Sequence, residues 1–138
     1  MQQVFEHHWV DSSAAPLHVW TLPAEPTDED LGTFCVALRV FLSGLSAPYA
    51  MTIDASALRT ATAKQRRELG DALKDHELDV HTWCAGTSVV LTSSFARGVA
   101  TAVTWISSQD FPVEKFTDLE SANRWCLEQL NSARESAG

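Results

Sequence analysis

The chain has 138 residues, of which 45% are hydrophobic and 20% charged, and its formal net charge is −8. These values are typical of one soluble globular domain, and the acidity argues against broad binding to nucleic acid or anionic lipid. No apolar run approaches the roughly 20 residues that span a bilayer, and the N-terminus lacks the basic start and apolar core of a signal peptide. A cytoplasmic location is therefore expected.

The first elements in chain order are a hairpin and a helix. Residues 3–10 and 17–22 are strand-like and flank the turn DSSAAP, which predicts an antiparallel pair. Thr27 is the predicted N-cap of the first helix, with acidic residues at 28–30 in its first turn and Gly44 at its end. Apolar residues at spacings of three and four predict its buried face: Leu31, Phe34, Cys35, Leu38, Phe41, Leu42 and Leu45.

The middle of the chain alternates strands with helices. The run YAMTIDAS (49–56) predicts a strand, and a second helix is predicted from Thr62, where Gln65 completes a capping box. The run TSVVLTS (87–93) predicts a buried strand, followed by a third helix over 95–106. The inner face of the second helix is predicted to consist of Leu69, Ala72, Leu73 and His76.

The last two elements are a strand at 111–116, where Pro112 suits a sheet edge, and a helix that opens with the capping box TDLE (117–120). The predicted inner face of this helix is Leu119, Ala122, Cys126 and Leu130. The order β-β-α-β-α-β-α-β-α predicts a single α/β domain over 1–131, with a flexible tail at 132–138. A mixed sheet of about five strands is expected, parallel except for the first hairpin, with four helices.

Cysteine and histidine give little evidence for a metal or a disulfide framework. Cys35, Cys84 and Cys126 are odd in number and form no Cys-x-x-Cys pair, so buried reduced thiols are expected. His81 and Cys84 could offer two metal ligands, but nothing completes a tetrahedral set at a recognisable spacing. We therefore predict no metal and no cofactor.

Five segments of the chain form a distinctive set: PTDEDL (26–31), TIDAS (52–56), QRREL (65–69), CAGTSVVLTSSFARGVATAVTW (84–105) and FTDLESANRWCLEQL (116–130). In these segments the chain resembles the STAS family (sulfate-transporter and anti-sigma-factor-antagonist domains), in particular its small bacterial branch. Lipid-transfer proteins of the CRAL-TRIO type share part of the pattern. The resemblance implies a non-enzymatic regulatory module that binds a protein partner in signalling.

Some members of that family are switched by phosphorylation at the start of the helix after the third strand. The family motif there is Asp-Ser-Ser-Gly, whereas this chain has RTATAKQ (59–65). The candidate switch hydroxyls are therefore Ser56, Thr60 and Thr62.

Two groups of residues are candidates for binding. Asp54 and Ser56 end a predicted strand, where they either bind a partner or only form the turn. Cations near the starts of the second and third helices could hold an anion at those helix N-termini, or could form a solvated face that pairs with Glu68, Asp71 and Asp75. The complete candidate binding edge is Asp54, Arg59, Lys64, Arg66, Arg67, Ser93, Ser94 and Arg97.

Three functions compete. The leading hypothesis is a STAS-like module that binds a protein through this edge, and the alternative is a carrier of a small lipid or anionic ligand in a pocket by the second and third helices. An enzyme that uses Asp54 with His76 or His81 is the third. We predict no catalytic residue, because the chain has no Gly-x-Ser-x-Gly elbow, Walker sequence or dinucleotide fingerprint. An exposed tryptophan would mark a partner or homodimer surface.

Overall fold

A computed structural model describes residues 5–92, 97–99 and 113–137 of the chain. Its strands are β1 (Val10–Asp11), β2 (Leu17–Thr21), β3 (Tyr49–Asp54), β4 (Cys84–Val90) and β5 (Val113–Phe116). Its helices are α1 (Asp28–Ser43), α2 (Ala63–Asp75), α3 (Glu77–Trp83) and α4 (Leu119–Ala137), and residues 97–99 are also helical.

The strands form one mixed sheet in the order β1-β2-β3-β4-β5. β1 pairs with β2 antiparallel, and β2, β3, β4 and β5 pair in parallel, as the alternation of strands and helices predicts. Strands added in one direction by right-handed crossovers place their connecting helices on one face of the sheet. That face is covered by α1 and its neighbours, whereas α4 packs on β3 and β4 from the other side.

The two faces of the sheet differ in what they bury. The α1 face carries the larger core, which is rich in aromatic rings and includes Phe5, Trp9, Trp20, Phe34, Phe41 and Tyr49. The α4 face has a smaller apolar cluster, Leu17, Ala50, Cys126 and Leu130. The buried hydroxyls of Thr52 and Ser88 lie beside that cluster and hydrogen-bond to each other at 2.9 Å.

The predicted N-terminal strand is wrong over most of its described length. Only Val10 and Asp11 pair with β2, and residues 5–9 are not strand. The ring of Phe5 instead stacks on Phe41 with a centroid distance of 4.9 Å, and Trp9 packs against Phe34 at 5.1 Å. Both aromatic side chains are thereby buried against α1, where rings of this size contribute much of the core's apolar area.

The helix predictions need three corrections. Residues 77–83, which include part of the segment predicted to connect the second helix to the fourth strand, form the short helix α3. The last helix begins one residue later than the capping box predicts, because Asp118 rather than Thr117 accepts a hydrogen bond from the Ser121 amide (2.8 Å). Leu119, predicted to be on the inner face, is 40% exposed. That helix also continues to Ala137, through most of the segment 132–138 that the sequence predicted as a flexible tail.

Most of the predicted third helix and Pro112 lie outside the described residues. The tryptophans that are described (Trp9, Trp20, Trp83 and Trp125) are buried or half-buried, so none of these four marks a partner surface. None of the helices in the described part of the chain combines the length and apolar character that crossing a bilayer requires.

Candidate functional site

The carboxyl ends of the parallel strands meet at one end of the sheet, which we call the carboxyl edge (Leu22–Ala24, Asp54–Thr62 and Leu91–Thr92). Three hydrogen bonds hold its loops together. The Leu22 amide donates to the carbonyl of Asp54 (3.0 Å), the Ala55 amide to the carbonyl of Val90 (3.0 Å), and the Thr92 hydroxyl to the carbonyl of Ser56 (3.1 Å). The strand ends thus form one connected surface.

Asp54 and Ser56 form the turn that leaves β3. One carboxylate oxygen of Asp54 accepts both the amide of Ser56 (3.0 Å) and its hydroxyl (2.6 Å). This arrangement is the local turn chemistry that Asp and Ser side chains favour, and it leaves both residues half-buried. Asp54 and Ser56 therefore do form the turn after β3, and a binding role for them stays a prediction.

The start of α2 is fixed by the predicted capping box. The Thr62 hydroxyl accepts the Gln65 amide (3.1 Å), and the Gln65 side-chain oxygen accepts the Thr62 amide (3.0 Å). The side-chain nitrogen of buried Gln65 also donates to the carbonyl of Pro26 and to the Asp28 carboxylate, each at 2.9 Å. Gln65 thereby ties the beginning of α1 to the beginning of α2.

The predicted cations differ in their surroundings. Arg59, Lys64 and Arg67 are exposed, and the Lys64 ammonium lies 3.8 Å from Asp28. Arg66 is half-buried and donates to the carbonyl of Ala61 at 2.7 Å, so it supports the loop before α2. Asp75, one of the three carboxylates proposed to pair with these cations, is contacted instead by Arg39 of α1 at 2.8 Å.

Arg97 belongs to the same region as α2. It is exposed in the helical segment 97–99, and Val99 of that segment lines a small apolar cavity together with Leu58, Leu69 and Arg66. The cavity has a volume of about 40 Å³, whereas ligand pockets usually exceed roughly 300 Å³. Ser93 and Ser94 lie outside the described residues, so their predicted place at this edge stays a prediction.

The candidate switch hydroxyls are not equivalent. Ser56 is bonded to a carboxylate and Thr62 caps a helix, whereas Thr60 is exposed and its backbone amide is anchored to the carbonyl of Ala24 at 3.2 Å. Thr60 therefore lies on a loop whose backbone is anchored by a hydrogen bond, and its side chain is exposed.

The structure separates Asp54 from His76, one of the two histidines named in the enzyme hypothesis. Asp54 ends β3 next to the start of α2, whereas His76 follows the last turn of that helix and contacts Asp79 at 3.4 Å. A helix of 13 residues is roughly 20 Å long, so the carboxylate and the imidazole lie at opposite ends of α2. The pairing of Asp54 with His76 is thus excluded by distance.

The three cysteines are free and buried, as the sequence predicts. Burial raises the pKa of Cys35 to about 11, and it raises that of Cys84 to about 11 as well. Both thiols are thus held in the unreactive protonated form at neutral pH. Among the described residues, no group of three or more His, Cys, Asp or Glu side chains is arranged to hold a metal ion.

A second, larger cavity of about 290 Å³ opens at the opposite end of the sheet, beside the amino ends of β2 and β3. Sequence reasoning missed it, because its walls come from the turn at 15–16, the loop after α1 and the end of α4. These segments are distant in the chain and carry no motif.

Comparison of the chain with models of protein families, with curated proteins and with solved structures finds no match. The resemblance to STAS domains therefore rests on the quoted sequence segments alone and stays a prediction.

Proposed function

We propose that this chain is a non-enzymatic regulatory module of the STAS type that binds a protein partner through the carboxyl edge. One observation carries the proposal: the parallel strands bring the turn at Asp54–Ser56, Thr92 and the start of α2 to the same end of the sheet. Crevices at the carboxyl ends of parallel strands are the usual binding positions in open α/β sheets.

Exposed cations at and beside this edge support recognition of acidic groups on the partner, next to the acidic first turn of α1. Arg59 is exposed on the edge, Lys64 and Arg67 are exposed at the start of α2, and Arg97 is exposed on the neighbouring segment. Complementary charges steer association and suppress wrong partners, although exposed pairs add little affinity individually. A cytoplasmic location is part of the proposal, and the free cysteines support it. Cell fractionation tests that location.

If the module is switched by phosphorylation, Thr60 is the favoured hydroxyl. A phosphate on Ser56 would add nearly two negative charges next to the Asp54 carboxylate that its hydroxyl now contacts. The Thr62 hydroxyl is already engaged as the acceptor of a hydrogen bond from the Gln65 amide. Thr60 has neither constraint and follows the exposed Arg59.

Affinity capture from cells with an Arg59→Glu/Arg67→Glu variant tests the edge. The matched control is Lys74→Glu/Arg124→Glu, which changes the net charge equally at exposed positions, one at the far end of α2 and one on α4. We expect the edge variant to lose partners that wild type and control retain. Equal capture by all three proteins would refute binding at this edge, and mass spectrometry of the captured chain reports whether position 60 is modified.

A further inference from the structure

The cavity at the amino ends of β2 and β3 is separate from the carboxyl edge. Its base is formed by His18, Phe41 and Tyr49, which are almost fully buried. Its accessible wall therefore comes from the residues around them: Ala15, Pro16, Leu45, Ser46, Ala47, Pro48 and Arg134. Most of these residues have apolar side chains, and the two with polar side chains, Ser46 and Arg134, are exposed.

The charge of this cavity is opposite to that of the whole chain. Arg134, in the last turn of α4, is its one charged wall residue, and no carboxylate is among the described residues that line it. Burial lowers the pKa of His18 to about 4, so the imidazole at the base is neutral at physiological pH. In a protein with a net charge of −8, an anion would meet less repulsion here than over most of the surface.

We propose that this cavity binds a small monocarboxylate with a short apolar body. The guanidinium of Arg134 would hold the carboxylate, because its donors match a carboxylate in a planar, charge-assisted pair. The apolar body would pack against Pro16, Leu45 and Pro48. The volume of about 290 Å³ is just below the roughly 300 Å³ at which ligand pockets usually begin, which fits a single ring or a short chain rather than a membrane lipid.

Titration with three probes of equal chain length tests both parts of the proposal. Hexanoate, 1-hexanol and hexylamine are added separately to the ¹⁵N-labelled full chain, and the backbone amide shifts of Leu45, Ser46, Ala47 and Tyr49 are followed. We expect saturable shifts with hexanoate, at least about tenfold weaker binding of 1-hexanol, and no binding of hexylamine. Absence of saturable shifts at these amides, or equal affinity for hexanoate and 1-hexanol, would overturn the proposal.

Two arginine variants on the same helix identify the charge that holds the carboxylate. Arg134→Gln should weaken hexanoate binding about tenfold, because it removes a hydrogen bond between two charged groups. Arg124→Gln is the control, since Arg124 pairs with Glu120 at 3.1 Å and does not line the cavity. Unchanged affinity in Arg134→Gln contradicts the assignment. A failure here leaves the proposed function intact, because that function uses the other end of the sheet.

Discussion

His18 is a polar residue buried in a largely aromatic part of the core. It is 2% exposed, packs edge-on against the ring of Phe41 near that of Phe5, and contacts the Ser12 hydroxyl through Nδ1 at 2.7 Å. Its strand, LHVWT, is buried on both faces, so alternation between apolar and polar residues is absent and the sequence gives no hint of the side chain's environment. Burial, rather than a charged neighbour, lowers its pKa to about 4.

This pKa predicts a specific loss of stability in acid. The unfolded chain binds a proton on His18 below about pH 6.5, whereas the folded chain does so only near pH 4, so the free energy of unfolding falls as the pH drops through this window. The difference is on the order of 3 kcal/mol. Denaturant unfolding at several pH values should show a flatter profile for His18→Asn, which keeps a polar atom near the Ser12 hydroxyl.

The control for this prediction is His81→Asn, which alters an exposed imidazole. Its pH profile should match that of wild type. A His18→Asn profile as steep as the wild-type profile would contradict the assignment, whatever the absolute stability of the variant.

Residue-level predictions succeed where the signal is local. Thr27 and Thr62 cap α1 and α2 as predicted. Each hydroxyl accepts a hydrogen bond from the backbone amide three residues later, which is the local arrangement that an N-cap needs. At α4, two adjacent residues, Thr117 and Asp118, both suit the cap, and Asp118 takes it. Its hydrogen bond to the Ser121 amide also lowers the pKa of the Asp118 carboxyl.

At the scale of the element, length decides which helices the sequence reveals. α1 has 16 residues and a long apolar stripe, so its beginning, its end and most of its buried face are predictable. Leu45, predicted on that face, instead follows the end of the helix at Gly44 and is half-buried. α3 has seven residues, no side-chain cap and a single buried residue, Val80. Two helical turns with one core contact produce no periodicity, and tertiary packing rather than propensity forms such a helix.

The capping box of α2 gives a prediction for an element. Thr62→Ala removes the acceptor of the Gln65 amide and should lower the free energy of unfolding by about 1 kcal/mol. Thr60→Ala is the matched control, because Thr60 is exposed and does not cap the helix, and it should change stability by less than about 0.5 kcal/mol. Urea denaturation measures both, and equal stability of the two variants would show that the box contributes nothing.

At the scale of the molecule, the parallel order of the strands follows from the alternation of elements, but the contents of the α4 face do not. Thr52, Ser88 and Cys126 form a buried hydrogen-bonded group there, with Cys126 Sγ 3.3 Å from Ser88 Oγ and 3.4 Å from the carbonyl of Met51. Their separation in the chain carries no recognisable spacing. The cavity beside the amino ends of β2 and β3 (the amino-end cavity) was unpredictable for the same reason, because its lining residues are far apart in the chain.

The packing of α4 on the sheet depends on Gly86. A Cβ atom at this position would lie 2.9 Å from the ring of Trp125, which is closer than van der Waals contact allows. Gly86→Ala should therefore lower the free energy of unfolding by about 1–3 kcal/mol through overpacking between the two layers. Thermal and urea unfolding measure this effect.

Gly32→Ala is the matched control for Gly86→Ala. The new Cβ would meet only Glu68, at 3.8 Å, and alanine is the better helix former, so this variant should gain up to about 1 kcal/mol. If Gly86→Ala were as stable as Gly32→Ala, the close approach of Trp125 would have no energetic weight.

The common direction of β2 and β3 has a consequence for how the molecule could work. Each strand begins beside the amino-end cavity and finishes at the carboxyl edge, and along β3 the distance from Tyr49 to Asp54 is roughly 17 Å. A short carboxylate at one end and a docked protein at the other would not touch, so both could be held at once. β2 and β3, which are inner strands of the sheet, connect the two positions directly.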